Sequence, residues 1–412
     1  MITQDTFTVS NIIIKKALSK MEGLKKKQFQ FISEILLLFL SLRGRYNFLQ
    51  LSREGDRSEK SFRYQFEKRF DWLSFNTELV KEHCGSEIII GFDPSYIRKS
   101  GKQSPGLGHF YSGCQGRYVK GLEVGSFAAI DINQHTAYHL EAIQSPTARF
   151  DRIDEQRTLI DHYASLVLDR AAELREVSSI LVCDAYFSKK KYVDKVCDEA
   201  GFEMIGRLRD DANLRYLYKG KQRSGSGRKK KYDGKINTKN IDKRRLTLVH
   251  QDDSCRIYSG VVNSVSLKRD IRLAYVEHLL TNGKILIKLY FSTNCERYAT
   301  EVLHYYKARF QMEFLFRDAK QHVGLEHCQA RSENKLHNHF NASLTAVSAA
   351  KVASRNNTLP TDKMTFSISD IKTEFQNRNL LQSFFSKYAT AVNMQKIQQD
   401  LHQFLTFGKI AA

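Results

Sequence analysis

The sequence predicts an α/β protein, a mixed core interrupted by an inserted β region and flanked by helical segments at both ends. Three observations carry that reading. Apolar β-branched runs such as Glu87-Ile-Ile-Ile-Gly-Phe-Asp93 and Ser179-Ile-Leu-Val-Cys-Asp184 alternate with helical periodicity up to about residue 208. From about 209 to 292 the period is that of strands alone, after which helical spacing returns. Residues 1–76 are helical in period.

The 412 residues leave room for two or three domains. Lys and Arg number 65 against 45 Asp and Glu, a net charge of +20, which favours an anionic polymer or a membrane surface as partner. The longest apolar run, Ile35 to Leu40, has six residues, far below the ~20 a spanning helix needs. Met1-Ile-Thr-Gln-Asp has neither a basic n-region nor an apolar h-region, which speaks against secretion. Seven scattered Cys without a CxxC argue against a disulfide framework or zinc ribbon and suit a reducing cytoplasm.

Taken in order, Phe31, Ile32, Ile35, Leu36, Phe39 and Leu40 form the apolar face of a first helix that ends near Arg43-Gly44-Arg45. Tyr46 to Leu51 suggests a second. Asp56 or Ser58 would cap a third, over Glu59 to Phe70, with Phe62, Phe66 and Phe70 on one side and Arg57 and Arg63 among its basic residues. Three short helices ending in a basic one have the pattern of a helix-turn-helix, or of an ordinary bundle. A strand then runs to Asp93, broken by Pro94, and a Gly-rich loop follows over 101–116. Strands are expected over Leu122 to Asp131 and Thr136 to Gln144, a helix over 151–176, and a strand ending at Asp184. A helix from Ser188 to Glu199 and a strand from Phe202 to Leu208 complete this part. Further strands are expected at Arg245 to His250, Arg256 to Ser266, Ile271 to His278 and Ile285 to Ser292, then helices from about Arg297 to His322 and Leu336 to Ser354. Beyond Pro360, Leu380, Leu381, Phe384, Phe385 and Tyr388 give a small apolar helical face.

The charge is uneven. Residues 219–245 hold twelve basic residues against Asp233 and Asp242. Their core, Arg223 to Lys231, is Gly/Ser-rich and reads as a basic loop, with Lys229, Lys230 and Lys231 as candidate phosphate contacts. A solvated loop or a nuclear-import signal would look the same.

Two apolar strands end on carboxylates, Asp93 and Asp184, at the sheet edge where α/β folds hold ligands. Either Asp could instead cap a helix or close a turn. Tyr306, Arg309, Glu313 and Lys320 are spaced so that, at about 100° per residue, they share one narrow helical arc. Ala308, Met312, Leu315 and Ala319 fall opposite, fit to pack on a sheet. A solvated charged face has the same pattern. Asp131 is the rival carboxylate. His322, His327, Cys328, His337 and His339 cluster in sequence but give no standard zinc ligand set.

On these residues the chain resembles the DDE transposases of bacterial insertion sequences, of the insertion-sequence-4 type. Tyr306-x2-Arg309-x3-Glu313-x6-Lys320 matches their YREK signature, and Asp93 and Asp184 match the two preceding acidic motifs, over about residues 85–350. The resemblance implies an RNase H-like catalytic core with an inserted β domain. It implies that Asp93, Asp184 and Glu313 are catalytic and hold two Mg²⁺ ions (with Mn²⁺ as a substitute), while Tyr306, Arg309 and Lys320 contact DNA. Two divalent ions would activate the nucleophile and stabilise the leaving oxygen of an in-line displacement, and carboxylate oxygens suit hard Mg²⁺.

The expected organisation is a helical DNA-binding domain over 1–80 and the RNase H-like core over 81–208 and 288–355. The β insertion occupies 209–287, and a C-terminal helical segment over 356–412 is a candidate for dimerisation. The expected activity is metal-dependent cut-and-paste cleavage and strand transfer at terminal inverted repeats. Expected partners are double-stranded DNA, as transposon ends and target, and a second copy in a homodimer on DNA. Neither a membrane nor a nucleotide cofactor is expected, and the setting would be the bacterial cytoplasm at the nucleoid. The alternatives are a structure-selective nuclease of the same core and a transposase-derived repressor. Relatives with this signature cleave through a DNA hairpin, stacking a flipped base on an aromatic residue, often Trp. The only Trp here is Trp72, so Tyr290 and Phe291 are the candidates for that role, with ordinary strand packing as the other reading.

Overall fold

Among the residues that the computed structural model describes (5–222, 225, 227–356, 366–388, 404–405 and 407–409), twelve strands pair into one mixed sheet. Five helices precede it: α1 (Thr6–Ser19), α2 (Lys26–Ser41), α3 (Phe48–Glu54), α4 (Glu59–Gln65) and α5 (Trp72–His83). The sequence reading anticipated α2 to α4 but neither α1 nor α5. Asn47, Ser58 and Asp71 cap α3, α4 and α5 by accepting amides three residues on. Phe62 and Phe66 are buried, and Phe31 meets Phe66 edge-on at 5.5 Å.

The next elements are β1 (Ile88–Arg98), β2 (Gly108–Ser112), β3 (Arg117–Asp131) and β4 (Thr136–Gln144). After them come α6 (Leu159–Asp169), α7 (Ala171–Arg175), β5 (Ile180–Val182), α8 (Lys190–Asp194) and β6 (Glu203–Arg207). β4, β3 and β1 are antiparallel neighbours, whereas β5 and β6 run parallel to β1. The order β4-β3-β1-β5-β6 is consistent with an RNase H-like core. The structure corrects three expectations in this region. β1 does not break at Pro94, which sits opposite Gly125 in the β1–β3 ladder. β5 pairs only with Ile90 and Gly91, so from Phe92 onward one edge of β1 is free, a setting that accepts proline. The Gly-rich stretch contains β2. The helix expected from 151 begins only at Leu159, because residues 149–158 form a small loop closed by bridges of Arg152 with Arg149 and Thr158.

The second half of the sheet comprises β7 (Leu214–Leu217), β8 (Tyr232–Lys235), β9 (Thr247–Gln251), β10 (Cys255–Ser264), β11 (Arg269–Leu279) and β12 (Ile285–Ser292). β12 is the joint. It pairs with β11 along its length and with β6 through Tyr290 to Ser292, so the inserted strands prolong the core sheet.

The last helices are α9 (Ala299–Ala308), α10 (Gln311–His322), α11 (Glu333–Asn356) and α12 (Ile368–Tyr388). The single helix expected over 297–322 is two. The Arg309 amide reaches the carbonyls of both Tyr305 and Tyr306, and the Glu313 amide bonds to Phe310, a tighter turn that resets the helix. α11 is buried along most of its length against α1, α2 and β4. In α12 the buried apolar residues are Ile368, Ile371 and Phe375, whereas Leu380 and Phe384 are exposed, contrary to the expected face; the side chain of Tyr388 lies outside the described residues, as do Pro360 and Arg223. All seven cysteines are free, and no helix among the described residues is long and apolar enough to cross a membrane.

Candidate active site

The middle of one strand, the end of another and one helix build an acidic cleft. Gly91 of β1 lies opposite Val182 of the parallel β5, and two residues further along each chain stand Asp93 and Asp184. Asp93, still inside β1 opposite Ser126, and Asp184, just past the end of β5, therefore stand at the same level of the sheet. Asp184 also caps the 3₁₀ turn Ala185–Phe187, its Oδ1 accepting the Tyr186 amide at 2.8 Å. Capping and a place in the cleft are thus not alternatives for this residue.

Glu313 arrives on α10, whose Met312, Leu315 and Ala319 are fully buried while Glu313 itself stays open to the cleft. Gly91 makes room for the approach. A Cβ there would stand 2.4 Å from Met312 Sδ and 2.8 Å from Ile130 Cδ1, so a larger residue would force these two buried side chains to shift. The half-turn break before α10 puts Arg309 between the carboxylates: Nη1 is 3.6 Å from Asp93 Oδ2 and Nη2 is 3.1 Å from Glu313 Oε1. Its Nε is buried without a partner among the described residues. Lys320, one face further along α10, donates to the Tyr96 carbonyl at 2.7 Å and lines the same cleft as Asp93, Asp184 and Glu313. The Tyr306 ring packs on Tyr290 at 4.8 Å, beside Arg309.

Burial pushes Asp93 up to about 7. Arg309 pulls it down, and Asp184 and Glu313 push it up again. Burial likewise raises Asp184 against the pull of Arg309 and the Tyr186 amide. Burial works against the charge on Arg309, yet Asp93, Asp184 and Glu313 hold its value above the ordinary one. Burial also lowers Lys320. Three carboxylates around one guanidinium leave uncompensated negative charge in a site where charge is costly. Oxygen-only donors of this kind fit a hard divalent cation.

The other sequence candidates lie elsewhere. Lys229, Lys230 and Lys231 are exposed before β8, and Lys230 is paired with Asp233 at 2.7 Å and sits over the Tyr218 ring. Arg57 is paired with Glu34 and lies over Phe31, and Arg63 is paired with Glu59 at 2.6 Å and lies over Phe48. Asp131 is a turn residue, its two oxygens accepting the amides of Gly85 and Gln134. Phe291 is fully buried and Tyr290 is 7 % exposed with its ring against Tyr306, so strand packing accounts for both. His339 bonds to the Gly324 carbonyl. Among the described residues the one group of three His, Cys, Asp or Glu whose ligand atoms all lie within 4.8 Å of one another is His250, Asp252 and Cys255; Asp93, Asp184 and Glu313 do not come that close together. The His250 group is a hairpin turn in which Asp252 already bonds His250 and the amides of Ser254 and Cys255.

Sequence reasoning missed Glu123. It stands on β3 in the same cleft, 6 % exposed, accepting the hydroxyls of Tyr163 and Ser145. The available signal was a single charge inside the apolar run Leu122 to Ile130.

Residues 156–348 match the family model of the transposase DDE domain. The span includes Asp184 and the whole of α9 and α10, with Asp93 upstream of it. The match supports a DDE transposase: the chain is an enzyme of DDE nuclease and transposition chemistry, a class that generally uses divalent metal ions. No curated protein matches the chain in sequence. Among solved structures, a piggyBac transposase synaptic complex with hairpin DNA, seen by cryo-EM, aligns over 100% of this chain and 84% of its own at 10% identity and a TM-score of 0.38. That likeness is too loose to carry an argument.

Proposed function

We propose that this transposase cuts and joins the ends of an insertion sequence, recognising its terminal inverted repeats, with Asp93, Asp184 and Glu313 holding two Mg²⁺ ions. The observation that carries the reading is the convergence of three carboxylates, from the β1 and β5 strands and from α10, around Arg309 in a cleft that also holds Lys320. Bound divalent ions supply a polarised phosphodiester and an activated hydroxyl nucleophile. Arg309 stands between Asp93 and Glu313 and offsets their repulsion before metal enters. Lys320, tethered to the β1 backbone, offers a charge-assisted contact to a DNA phosphate. Tyr306, held by Tyr290, forms the wall beside Arg309.

The net charge of +20 supports double-stranded DNA as the partner. In this reading the N-terminal helices and the 219–245 segment bind DNA away from the cleft, and two copies act together on paired ends. The intact carboxylate set favours an active enzyme over a repressor. The test is incubation with a duplex carrying the element's terminal repeat and Mg²⁺, products being resolved on denaturing gels. Cleavage at the repeat followed by joining to a target is expected. Cutting without joining would return the reading to a nuclease.

A further inference from the structure

We propose that Glu123 is a positioning residue for the cation held by Asp93 and Asp184, its Oε2 accepting a hydrogen bond from water bound to that cation. This rests on the reading of the cleft as a metal site.

A buried carboxylate is ordinarily retained where a cation or amides compensate it. The others among the described residues obey that rule. Glu141 is paired with Arg170 at 2.7 Å, Asp318 with Arg317 at 3.1 Å, Glu277 with Lys243 at 3.5 Å, and Glu374 with Lys409. Asp131 has an amide on each oxygen. Glu123 departs from it. Among the described residues it forms no ion pair, and both its donors, Tyr163 Oη and Ser145 Oγ, go to Oε1. Its Oε2 has no hydrogen bond from those residues and is not sealed from solvent, and the residue lines the cleft of Asp93, Asp184 and Glu313. Two hydroxyls thus fix the rotamer and leave the second oxygen to an acidic cavity.

An anionic phosphate is a poor partner for that oxygen itself, which when ionised can only accept, although Arg98, Arg317 and Lys320 line the same cleft alongside Asp93, Asp151 and Asp184. A hydrated cation suits the carboxylates, and partners that orient bound water are the usual support of such sites. Burial pushes Glu123 up to about 7, with Tyr163 and Ser145 opposing and Asp151 adding to the rise, and a cation nearby would favour its ionised form.

The test is Mn²⁺ binding to the full chain, read from the electron paramagnetic resonance of free Mn²⁺, together with thermal unfolding in EDTA. Glu123→Gln keeps volume and the Oε1 contacts, and should weaken Mn²⁺ binding about tenfold while leaving the EDTA melting temperature unchanged or higher. Tyr163→Phe, which spares Oε2, should bind Mn²⁺ within about threefold of the native chain, as expected for a rotamer support. Native Mn²⁺ affinity in Glu123→Gln, with Asp184→Asn impaired, would overturn the inference alone. Native affinity in Asp184→Asn as well would overturn the metal site itself. Loss of both affinity and EDTA stability in Glu123→Gln would assign the residue to packing and overturn the proposal too.

Discussion

The two ends of the sheet handle charge in opposite ways. At the β1–β5 end, carboxylates crowd one another in a cleft and share one guanidinium. At the β7–β10 end, the charges are mostly basic, exposed, and laid over aromatic faces: Arg215 on Tyr232 at 4.0 Å, Lys230 on Tyr218 at 4.5 Å, Arg245 on Tyr216 at 5.0 Å and Lys243 on Tyr258 at 5.0 Å. Coulomb energy scales inversely with the local dielectric, so a charge at the first end is coupled to its neighbours far more strongly than one at the second. Substitutions in the cleft should therefore act nearly all-or-none on chemistry. Substitutions in the insertion should act by degrees on affinity.

The largest effect is expected for Asp184→Asn. Losing a metal-holding carboxylate removes several kcal/mol of transition-state stabilisation. At about 1.4 kcal/mol per factor of ten, that is a loss of ~1000-fold or more in end cleavage. Gel-shift affinity for the same duplex should change little, because the cleft's net charge becomes less negative. A variant that cuts at a rate comparable with the native chain would remove Asp184 from the site and dissolve the contrast between the two ends.

An effect of pH should rank second. Folded, Asp93 keeps its proton up to about 7, whereas an unfolded Asp loses it near ~4. Between those values the folded chain binds more protons than the unfolded one, so metal-free stability falls as pH rises through that window. Melting temperature in EDTA should decline from about pH 5 to 7.5 by the amount this group contributes, and Asp93→Asn should flatten that decline. Added Mg²⁺ should raise the melting temperature more above the window than below it, since only the ionised carboxylates hold it. Equal stabilisation across the range would show that the carboxylates do not take up the ion.

The same contrast explains what the sequence disclosed. Asp93 and Asp184 were legible because each ends an unbroken apolar run, and a helical spacing tied Arg309, Glu313 and Lys320 to one face. The succession of strands and helices through the core, β2 apart, was legible because its strands are apolar runs. What escaped depended on packing between distant parts of the chain. The break at Arg309 comes from bifurcated amide bonding that no periodicity records. The continuation of β1 through Pro94 depends on where β5 stops. Glu123 sits in a strand read as plain core, and only the position of Tyr163 on α6 and of Ser145 just beyond β4 makes its carboxylate special. The face of α12 was misjudged because the helix packs by its first turns against the rest of the chain, leaving Leu380 and Phe384 outside.

At the basic end the effect should be smaller and graded. Removing one bond to a DNA phosphate lowers the slope of log affinity against log salt by about 0.9. Lys229 and Lys231 have no ion pair among the described residues, but Lys230 is already held by Asp233 at 2.7 Å. Replacing all three with Gln should thus reduce the slope by about two rather than about three. An unchanged slope would make the segment a solvated loop and leave the insertion without a role in binding.

The smallest effects separate two arginines beside α4. Arg57 lies close against the bundle, paired with Glu34 and stacked over Phe31. Arg63 projects from the helix, its side chain 53% exposed and its partner Glu59 on the same helix. An exposed pair of that kind is worth a few tenths of a kcal/mol and the contact over Phe48 about 0.5–1 kcal/mol, so DNA can recruit Arg63 at modest cost, whereas recruiting Arg57 would also strip the half-buried Glu34 of its partner. Arg57→Ala should accordingly lower stability by about 0.5–1 kcal/mol and leave DNA affinity alone. Arg63→Ala should lower stability by no more than about 1 kcal/mol and weaken binding, with a slope change of about one for contact to a single phosphate. Denaturant melts and salt-dependent gel shifts on the two variants read both quantities. If Arg57→Ala instead weakens binding while Arg63→Ala does not, the DNA-facing surface of the N-terminal helices is the α2 side, and α4 is a packing helix.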